Sequence, residues 1–431
     1  MRDMARVVTI KSFDKMFEKD RIVCAQFEET AYEAIIPKDH AIIGNKMIFI
    51  EADAILPEVN AWEFLRKRCW REDLKGFLIK PMTMGAKENS DGTKGEKVKS
   101  WGLVVAPDEC GLGFEEITKN LKAGEDVTEK LGIRKYEPEE DASPTKGESN
   151  KAYPKWVKFC LSHSLTRWIG RIWQKNHQNT SGGFPSSLIS KSDETTIQNC
   201  KSFLERFKNS DVIITAKMEG QSFTVVPVFK KNKIVDAYVC SRNNAYHKHD
   251  DSIFWKMMDR YKVIDTMKKI YKETGTAYII QGEQVGPSIQ QNIYNFKQNH
   301  WYVFTVKDFF SGKQLSYKEQ TKVADMFGMR VVPLIKFGKL SEIMPNVDAA
   351  VKFAEKVVWT PSKSKIHSYI IDENTNNGEL WKDYFQHEGV VVRTNNYDKD
   401  CGIGCSFKVK NLQYAEHGLG NIHKEVAAKM E

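Results

Sequence analysis

The chain has 431 residues, 41% hydrophobic and 28% charged, which describes folded globular domains, about two to three of them, and excludes a disordered chain. No apolar run reaches the ~18–20 residues of a membrane helix, and the N-terminal MRDMARVVTIKSF lacks the apolar core of a signal peptide, so neither a membrane protein nor a secreted one is expected. The 65 Lys and Arg against 57 Asp and Glu leave a net charge of +8, which suits a polyanionic partner without requiring one.

Residues 1–106 read as short strands. Arg6-Val7-Val8-Thr9-Ile10, Ile22-Val23-Cys24, Lys46-Met47-Ile48-Phe49-Ile50 and Trp101-Gly102-Leu103-Val104-Val105 are the β runs, and their shortness and spacing predict a small barrel or sandwich. The polar stretch Lys87 to Lys99 reads as a mobile inserted loop. Residues 107–150 form a connector. Within it Asp126-Val127-Thr128-Glu129 is expected to cap a short helical turn, and Tyr136 to Asn150, rich in Glu, Pro, Ser and Gly, is expected to be an exposed linker.

The third segment, 151–431, is mixed. Trp156 to Trp173 and Ile197 to Phe207 carry helical spacing, and their aromatic stripes read as core. Strands are predicted at 211–217, 222–230 and 233–240, the last two joined by the turn Lys231-Asn232. A helix at 252–273, strands at 277–285 and 300–310, helices at 316–327 and 341–357, and strands at 388–393 and 405–409 complete the pattern. No regular alternation of strand and helix appears, so the fold class is α+β with antiparallel sheets. The eight cysteines are scattered and read as reduced thiols of a cytoplasmic or other reducing compartment. Cys401 and Cys405 are the closest pair, at a spacing poor for zinc. His247, His249 and His387 read as surface and loop residues.

Several residues could carry chemistry. Lys217 ends a buried strand in Lys217-Met218-Glu219-Gly220. Desolvation and nearby cations there would lower its pKa and free the amine as a nucleophile. Glu219 shares its face and could hold a metal or its waters. On four residues alone, an edge-strand lysine paired with a glutamate is the simpler reading. The rest of the chain shifts that balance. Arg242, in Ser241-Arg242-Asn243, offers a planar fork to a phosphate or sugar. Glu283 stands at a strand end in Gln281-Gly282-Glu283. Phe304 could stack on a base, although a core phenylalanine is the plainer alternative. Glu388 starts the strand Glu388-Gly389-Val390-Val391-Val392-Arg393. Lys408 and Lys410, in Ser406-Phe407-Lys408-Val409-Lys410, face one way, as phosphate ligands or as solubilising edge charges.

In this order the six segments resemble motifs I, Ia, III, IIIa, IV and V of the covalent nucleotidyltransferases, the ATP-dependent ligases and capping enzymes. Each is weak alone, but six in family order over 217–410 are specific. Within that superfamily the chain is most similar to ATP-dependent RNA ligases with an N-terminal OB module, the type known from Deinococcus and Naegleria. Gly183-Phe184-Pro185, Ser190-Lys191-Ser192-Asp193-Glu194, the stretch Glu283 to Asn292 and the connector Asp126 to Pro138 carry that likeness. DNA ligases and capping enzymes usually place an OB domain after motif V, and only 21 residues follow Lys410, too few for one. The β-rich module stands first instead, where Lys67, Arg68, Arg71 and Lys75 are candidate phosphate contacts or simply a solvated face.

The resemblance implies an OB-like barrel (1–106), a connector (107–150) and a nucleotidyltransferase, or adenylyltransferase, domain (151–431). It implies an enzyme, an RNA ligase that uses ATP with Mg2+ or Mn2+. That enzyme seals 5′-phosphate to 3′-hydroxyl ends through lysyl-AMP on Lys217, at nicks with RNA on the 3′-hydroxyl side. Arg242, Glu283, Phe304, Lys408 and Lys410 would bind the nucleotide, and Glu219, Glu283 and Glu388 the metal, directly or through water. Glu219 departs from the aspartate the family often has there. RNA or a nicked RNA-containing duplex is the expected partner, and a monomer the expected state. The alternatives are a DNA ligase or guanylyltransferase of the same superfamily, or a non-catalytic nucleic-acid-binding protein.

Overall fold

The computed structural model describes residues 3–110, 121–136, 180–192, 194–246, 248, 252–290, 292–360, 368–371, 385–394, 406–411 and 414. The expected helix Trp156 to Trp173, most of the linker to Asn150, Cys160, Cys401, Cys405, His247 and His249 lie outside them. The chain divides into two compact units: Met1–Pro138 with Thr196–Arg206, and Glu139–Thr195 with Phe207–Glu431.

The first unit is built on a seven-stranded sheet. Its strands are β1 (Ala5–Met16), β2 (Lys19–Phe27), β3 (Glu33–Pro37), β4 (Lys46–Glu51), β5 (Met82–Glu88), β6 (Lys94–Ser100) and β7 (Gly102–Val105). The main order is β7-β4-β1-β2-β3, with β5 pairing both β1 and β6. The long β1 pairs on both sides, with β4 over its first half and β2 over its second, and its first half is the buried one, at Ala5, Val7, Val8 and Ile10. Ile35 N donates to Ser100 Oγ (3.4 Å), linking β3 to β6. The residues expected to form a mobile loop, Lys87 to Lys99, are instead a β-hairpin. Ala86 and Val98 are buried at inward positions, and the tight turn is held by Asn89 N donating to Thr93 O (2.9 Å). Two buried residues in a polar stretch are enough to seat it.

Residues 121–136 pack on the same core, with Leu121, Val127, Leu131 and Ile133 buried beside Trp62 and Phe77. The stretch at 126–129 caps a short helical turn, as expected, with Leu131 N donating to Val127 O (3.0 Å). Asp126 Oδ1 accepts from Thr128 N (2.9 Å), and Thr128 Oγ1 accepts from Met4 N (2.8 Å) and Ala5 N (3.0 Å). Thr196–Arg206 belongs to this unit too: Tyr32 Oη donates to Thr196 Oγ1 (3.1 Å) and Ala31 N to Gln198 O (3.1 Å). The helix expected over 197–207 is a 3-10 turn, Ile197–Asn199, followed by α1 (Lys201–Phe207).

Among the described residues the second unit holds two large, mainly antiparallel sheets and a small three-stranded one (Val357–Thr360, Ser368–Ile371 and Phe385–Gln386). One runs Thr180–Gly183, Asn244–Tyr246, β10 (Lys233–Cys240), β9 (Gln221–Lys230), β11 (Tyr278–Val285), β12 (His300–Asp308) and Arg330–Val331. Within it β9 and β10 are joined at Lys231 and Asn232, both left-handed, as a two-residue hairpin turn matched to strand twist requires. One face is covered by α2 (Ile253–Arg260), α3 (Val263–Thr274) and α4 (Tyr317–Met326), around Phe223, Trp301, Phe254, Met258, Met267 and Val323. The single helix expected over 252–273 is broken because Lys262 is left-handed (φ 46°). The break lets each short helix bury its own apolar stripe on the sheet.

The other sheet contains the order β15 (Ser406–Lys410), β14 (Gly389–Thr394), β8 (Asp211–Ala216) and β13 (Leu334–Lys339). Here the helix expected over 341–357 splits at Pro345 into a single turn, Leu340–Ile343, and α5 (Val347–Lys356). Proline lacks the amide a helix interior needs, and Asn346 restarts the helix by accepting from Ala349 N (2.8 Å). Among the described residues, no helix is long and apolar enough to cross a membrane.

Candidate active site

Lys217 follows directly on β8, which is buried at Val212, Ile214, Thr215 and Ala216. Its amide donates to Gly389 O (2.9 Å), so the chain start of β14 lies alongside it. Gly389 has φ 147°, and a Cβ there would stand 2.2 Å from Val409 O; only glycine allows that approach. The next residue back, Glu388, is thereby delivered to the lysine, and the Lys217 Nζ–Glu388 Oε1 ion pair forms with the two side chains 25% and 29% exposed.

Strand register sets the neighbours. Gly389 is paired with Lys410, Val391 with Lys408 and Arg393 with Ser406, while Thr215 is opposite Val391 and Ile213 opposite Arg393. Side chains alternate along a strand, so Lys217, Lys408, Lys410 and Arg393 share one sheet face. Lys408 is buried. The opposite face is apolar, with Val212, Ile214, Val390, Val392, Phe407 and Val409 buried.

The first sheet contributes acids from its uncovered face. Gly220 lets the chain after Lys217 lie against this sheet: a Cβ on it would lie 2.3 Å from Gln284 O and 2.9 Å from Glu283 Cγ, and Glu283 and Glu219 both act on the Lys217 amine. Glu219 N also donates to Tyr294 Oη (3.1 Å). Burial and the neighbouring Glu388 push the Glu219 carboxyl up to about 8, against the pull of Lys217. Burial would lower the Lys217 pKa, but Glu388, Glu283 and Glu219 outweigh it and hold the amine above its ordinary value. This corrects the expectation that desolvation and nearby cations lower it: the immediate neighbours are anions, and Coulomb attraction wins. His387 is likewise not a surface residue. It is fully buried, and burial together with the Lys217 charge pushes its pKa down to about 3.

Phe304 is half-buried on β12, packed against a cluster that includes Met218, Tyr294 and Trp359. The Arg393 guanidinium lies 5.7 Å from its ring centre, and Arg393 also donates to Phe304 O. Arg242 is half-buried in the bend after β10. Its neighbour Asn243 accepts from Phe184 N (2.9 Å) through its carbonyl and from Lys191 Nζ (2.5 Å) through Oδ1.

Sequence reasoning assigned no role to five further groups, Arg393, Glu194, Lys191, Gln281 and Lys307. Arg393 donates to Glu194 Oε1 (2.6 Å). Burial raises the Glu194 pKa, but Arg393 and Lys408 prevail and hold it below the usual carboxylate range. Lys191 reaches Asn243, as above, and Gln281 Nε2 anchors the same segment at Ser190 O (3.2 Å). Lys307 has its pKa lowered by burial and by Arg393. The run Ser190-Lys191-Ser192-Asp193-Glu194 was a usable signal, but nothing local in it names Arg393, 199 residues away. In the N-terminal unit, Arg71 is engaged by Asp73 (2.7 Å), while Lys67, Arg68 and Lys75 are exposed.

Among the described residues, no three His, Cys, Asp or Glu side chains stand close enough to chelate a metal directly. The carboxylates around Lys217 are hard oxygen donors, and burial and Glu388 together disfavour the charge on one of them, Glu219. Such a set fits a hydrated divalent cation held through water.

The comparisons with known proteins agree with this geometry. Residues 210–410 match the RNA ligase family model, and residues 4–93 match that of an OB-fold domain. No curated protein sequence matches. Solved structures of Naegleria gruberi RNA ligase are similar in fold. A mutant with AMP and manganese shares 22% identity at TM-score 0.67, covering 96% of this chain and 98% of that one. A mutant with ATP and manganese shares 21% at TM-score 0.67, covering 98% of each, and the pyrophosphate complex shares 21% at TM-score 0.67, covering 96% and 98%. Residues 210–410, which hold the six motif segments and the sheet that aligns Lys217 with Lys408 and Lys410, are thus similar to the RNA ligase family, and residues 4–93 ahead of them to an OB-fold domain.

Proposed function

We propose that this protein uses ATP to seal a 5′-phosphate to a 3′-hydroxyl in RNA, through a lysyl-AMP intermediate on Lys217. The observation that carries the reading is the row formed by Lys217, Gly389 and Lys410, with Lys408 beside it and three carboxylates around the amine. In the first step the Nζ lone pair attacks the α-phosphorus of ATP, the bond to pyrophosphate breaks, and Nζ gives up its proton. Lys408 and Lys410 face the same side as Lys217 and meet charge developing on the phosphoryl oxygens. Phe304 offers a ring to adenine, with Arg393 holding the edge of that strand. Arg242 orients the adenylate or the RNA end. A 5′-phosphate oxygen then attacks the lysyl-AMP phosphorus and frees the lysine, and a 3′-hydroxyl displaces AMP to form the phosphodiester.

Lys217 begins as an ammonium ion, so proton loss is part of the barrier. A divalent cation bound through water by Glu219, Glu283 and Glu388 would supply positive charge that offsets these carboxylates and the triphosphate. Support for ATP with manganese comes from the Naegleria complexes, and for RNA from the family match. The expected preference is for nicks with RNA on the 3′-hydroxyl side.

The test is incubation with magnesium and α-labelled ATP or GTP, followed by nicked RNA or nicked DNA. Wild-type protein is expected to retain the ATP label after denaturation and pass it to nicked RNA, and Lys217→Ala to retain none. Labelling by GTP instead, or equal labelling of the Ala variant, would refute the proposal. Preferred sealing of DNA nicks would assign the protein to the DNA ligases.

A further inference from the structure

We infer that Phe337 and Leu334, on the edge strand β13, form a stacking platform for a base of the RNA strand being joined. The inference rests on the ligase reading above and places part of its substrate. Register carries it. Ile213 is opposite Phe337 on one side and Arg393 on the other, and Thr215 is opposite Leu334 on one side and Val391 on the other. Phe337 and Leu334 therefore lie on the face shared by Lys217, Lys408, Lys410 and Arg393, opposite the residues four and two positions before Lys217, the register shift between Ile214 and Thr215 bringing both to that face. That face does not end at β8; it continues outward onto β13.

The two residues are large and apolar, yet 53% and 47% exposed. Their strand neighbour Ile335 packs inward against the cluster holding Trp359 and Val332, so the core of this strand is satisfied without them. Lys339, exposed and two residues beyond Phe337, extends the same face opposite Asp211. An exposed aromatic ring on a face that carries Lys408, Lys410 and Lys339, with Lys217 and Arg393 paired to Glu388 and Glu194 and Asp211 opposite Lys339, suits a partner that is both polyanionic and rich in flat apolar rings. A nucleic-acid strand has both properties, whereas an apolar protein surface would have to bury these cations. Stacking on Phe337 needs no particular base, since every base offers a π face, which matches an enzyme that must join many sequences.

The test separates the partial reactions. Purified full-length wild type, Phe337→Ala, Phe337→Tyr, Leu334→Ser and a distant control, Phe310→Ala, are labelled with ATP and then given nicked RNA below saturation. Phe310 is 59% exposed and lies in a separate aromatic group with Phe229 and Tyr271. Every variant is expected to form lysyl-AMP within about twofold of wild type. Sealing by Phe337→Ala is expected to fall about five- to 150-fold, the range for loss of one base–aromatic stack, and to recover as RNA is raised. Phe337→Tyr and Phe310→Ala are expected to seal normally, and Leu334→Ser to show a smaller loss. Wild-type sealing by Phe337→Ala and Leu334→Ser would overturn the inference and leave this face to another kind of partner. An equal loss in Phe310→Ala would overturn it as well. A wild type that forms no lysyl-AMP would instead remove the ligase reading itself.

Discussion

Lys87 in the N-terminal unit and Lys217 in the C-terminal unit both stand among carboxylates, and they differ in how the charges close. Lys87 Nζ lies 2.8 Å from Asp14 and 2.7 Å from Glu33, and Gln26 donates to Asp14 (2.8 Å) and Glu33 (3.0 Å). Burial opposes both charges there, but Lys87 is held above its ordinary pKa by its acids and Asp14 below its own by Lys87 and Gln26. Each partner favours the charged form of the other, so the cluster is complete and pins the β5–β6 hairpin to β1 and β3. Around Lys217 the balance fails. The amine is raised by three carboxylates, yet Glu219 is raised too, to about 8, because burial and then the charge of Glu388 disfavour its ionised form. Negative charge gathered beside a buried amine does little for stability, and under the proposed function it is what a cation-assisted nucleophile would use.

The contrast can be broken at its acids first. Glu388→Gln removes the ion-pair partner of Lys217 and one acid of the proposed metal site. Labelling by ATP is expected to fall on the order of 10–100-fold, as for other groups that act on a metal through an intermediate. Removing a negative neighbour favours the neutral amine, so the Lys217 pKa in the nucleotide-free protein should also fall. The pH dependence of its reaction with an amine-directed reagent would report this, and an unchanged or raised midpoint would contradict the charge assignment.

A second, smaller effect is in the pH profile of metal use. Glu219 is protonated below about 8 in the absence of a cation, and a cation must compete with that proton. The magnesium or manganese concentration that half-saturates labelling should therefore fall as pH rises toward 8 and level off above it. Lysine deprotonation adds to the same trend, so labelling is expected to decline at low pH; a profile flat from acid to neutral would refute both.

The smallest effect belongs to the balanced cluster. Lys87→Met is expected to lower stability by about 1 kcal/mol, since the pair is partly exposed. Lysyl-AMP formation should be unaffected. Asp14, with its pKa depressed in the fold, contributes stability above its unfolded value and loses it as pH falls through the folded one. Wild type and variant should thus converge in denaturant melts at acid pH. A difference that persists at pH 2 would point to lost packing of the lysine stem and not to charge.

The sequence by itself determined the antiparallel α+β pattern, most strand positions and the residues gathered around the amine. Strand alternation, helical spacing and turn chemistry act over a few residues, so Lys408 and Lys410 could be placed on one face, and Lys231-Asn232 at a hairpin turn, before any contact was known. Only tertiary structure decided the remainder. The left-handed Lys262 breaks a helix whose spacing looked continuous, because two short helices cover the sheet. A polar run became a hairpin because Ala86 and Val98 found a core to enter, with Lys87 reaching two acids on other strands. His387 is buried, Glu194 meets Arg393, and Phe337 is left exposed on the reactive face. The charge of Lys217 belongs to this second class. Desolvation and Coulomb attraction depend on which groups lie within a few ångströms, and those groups come from segments up to 171 residues away along the chain, Glu388 being the farthest of the three acids.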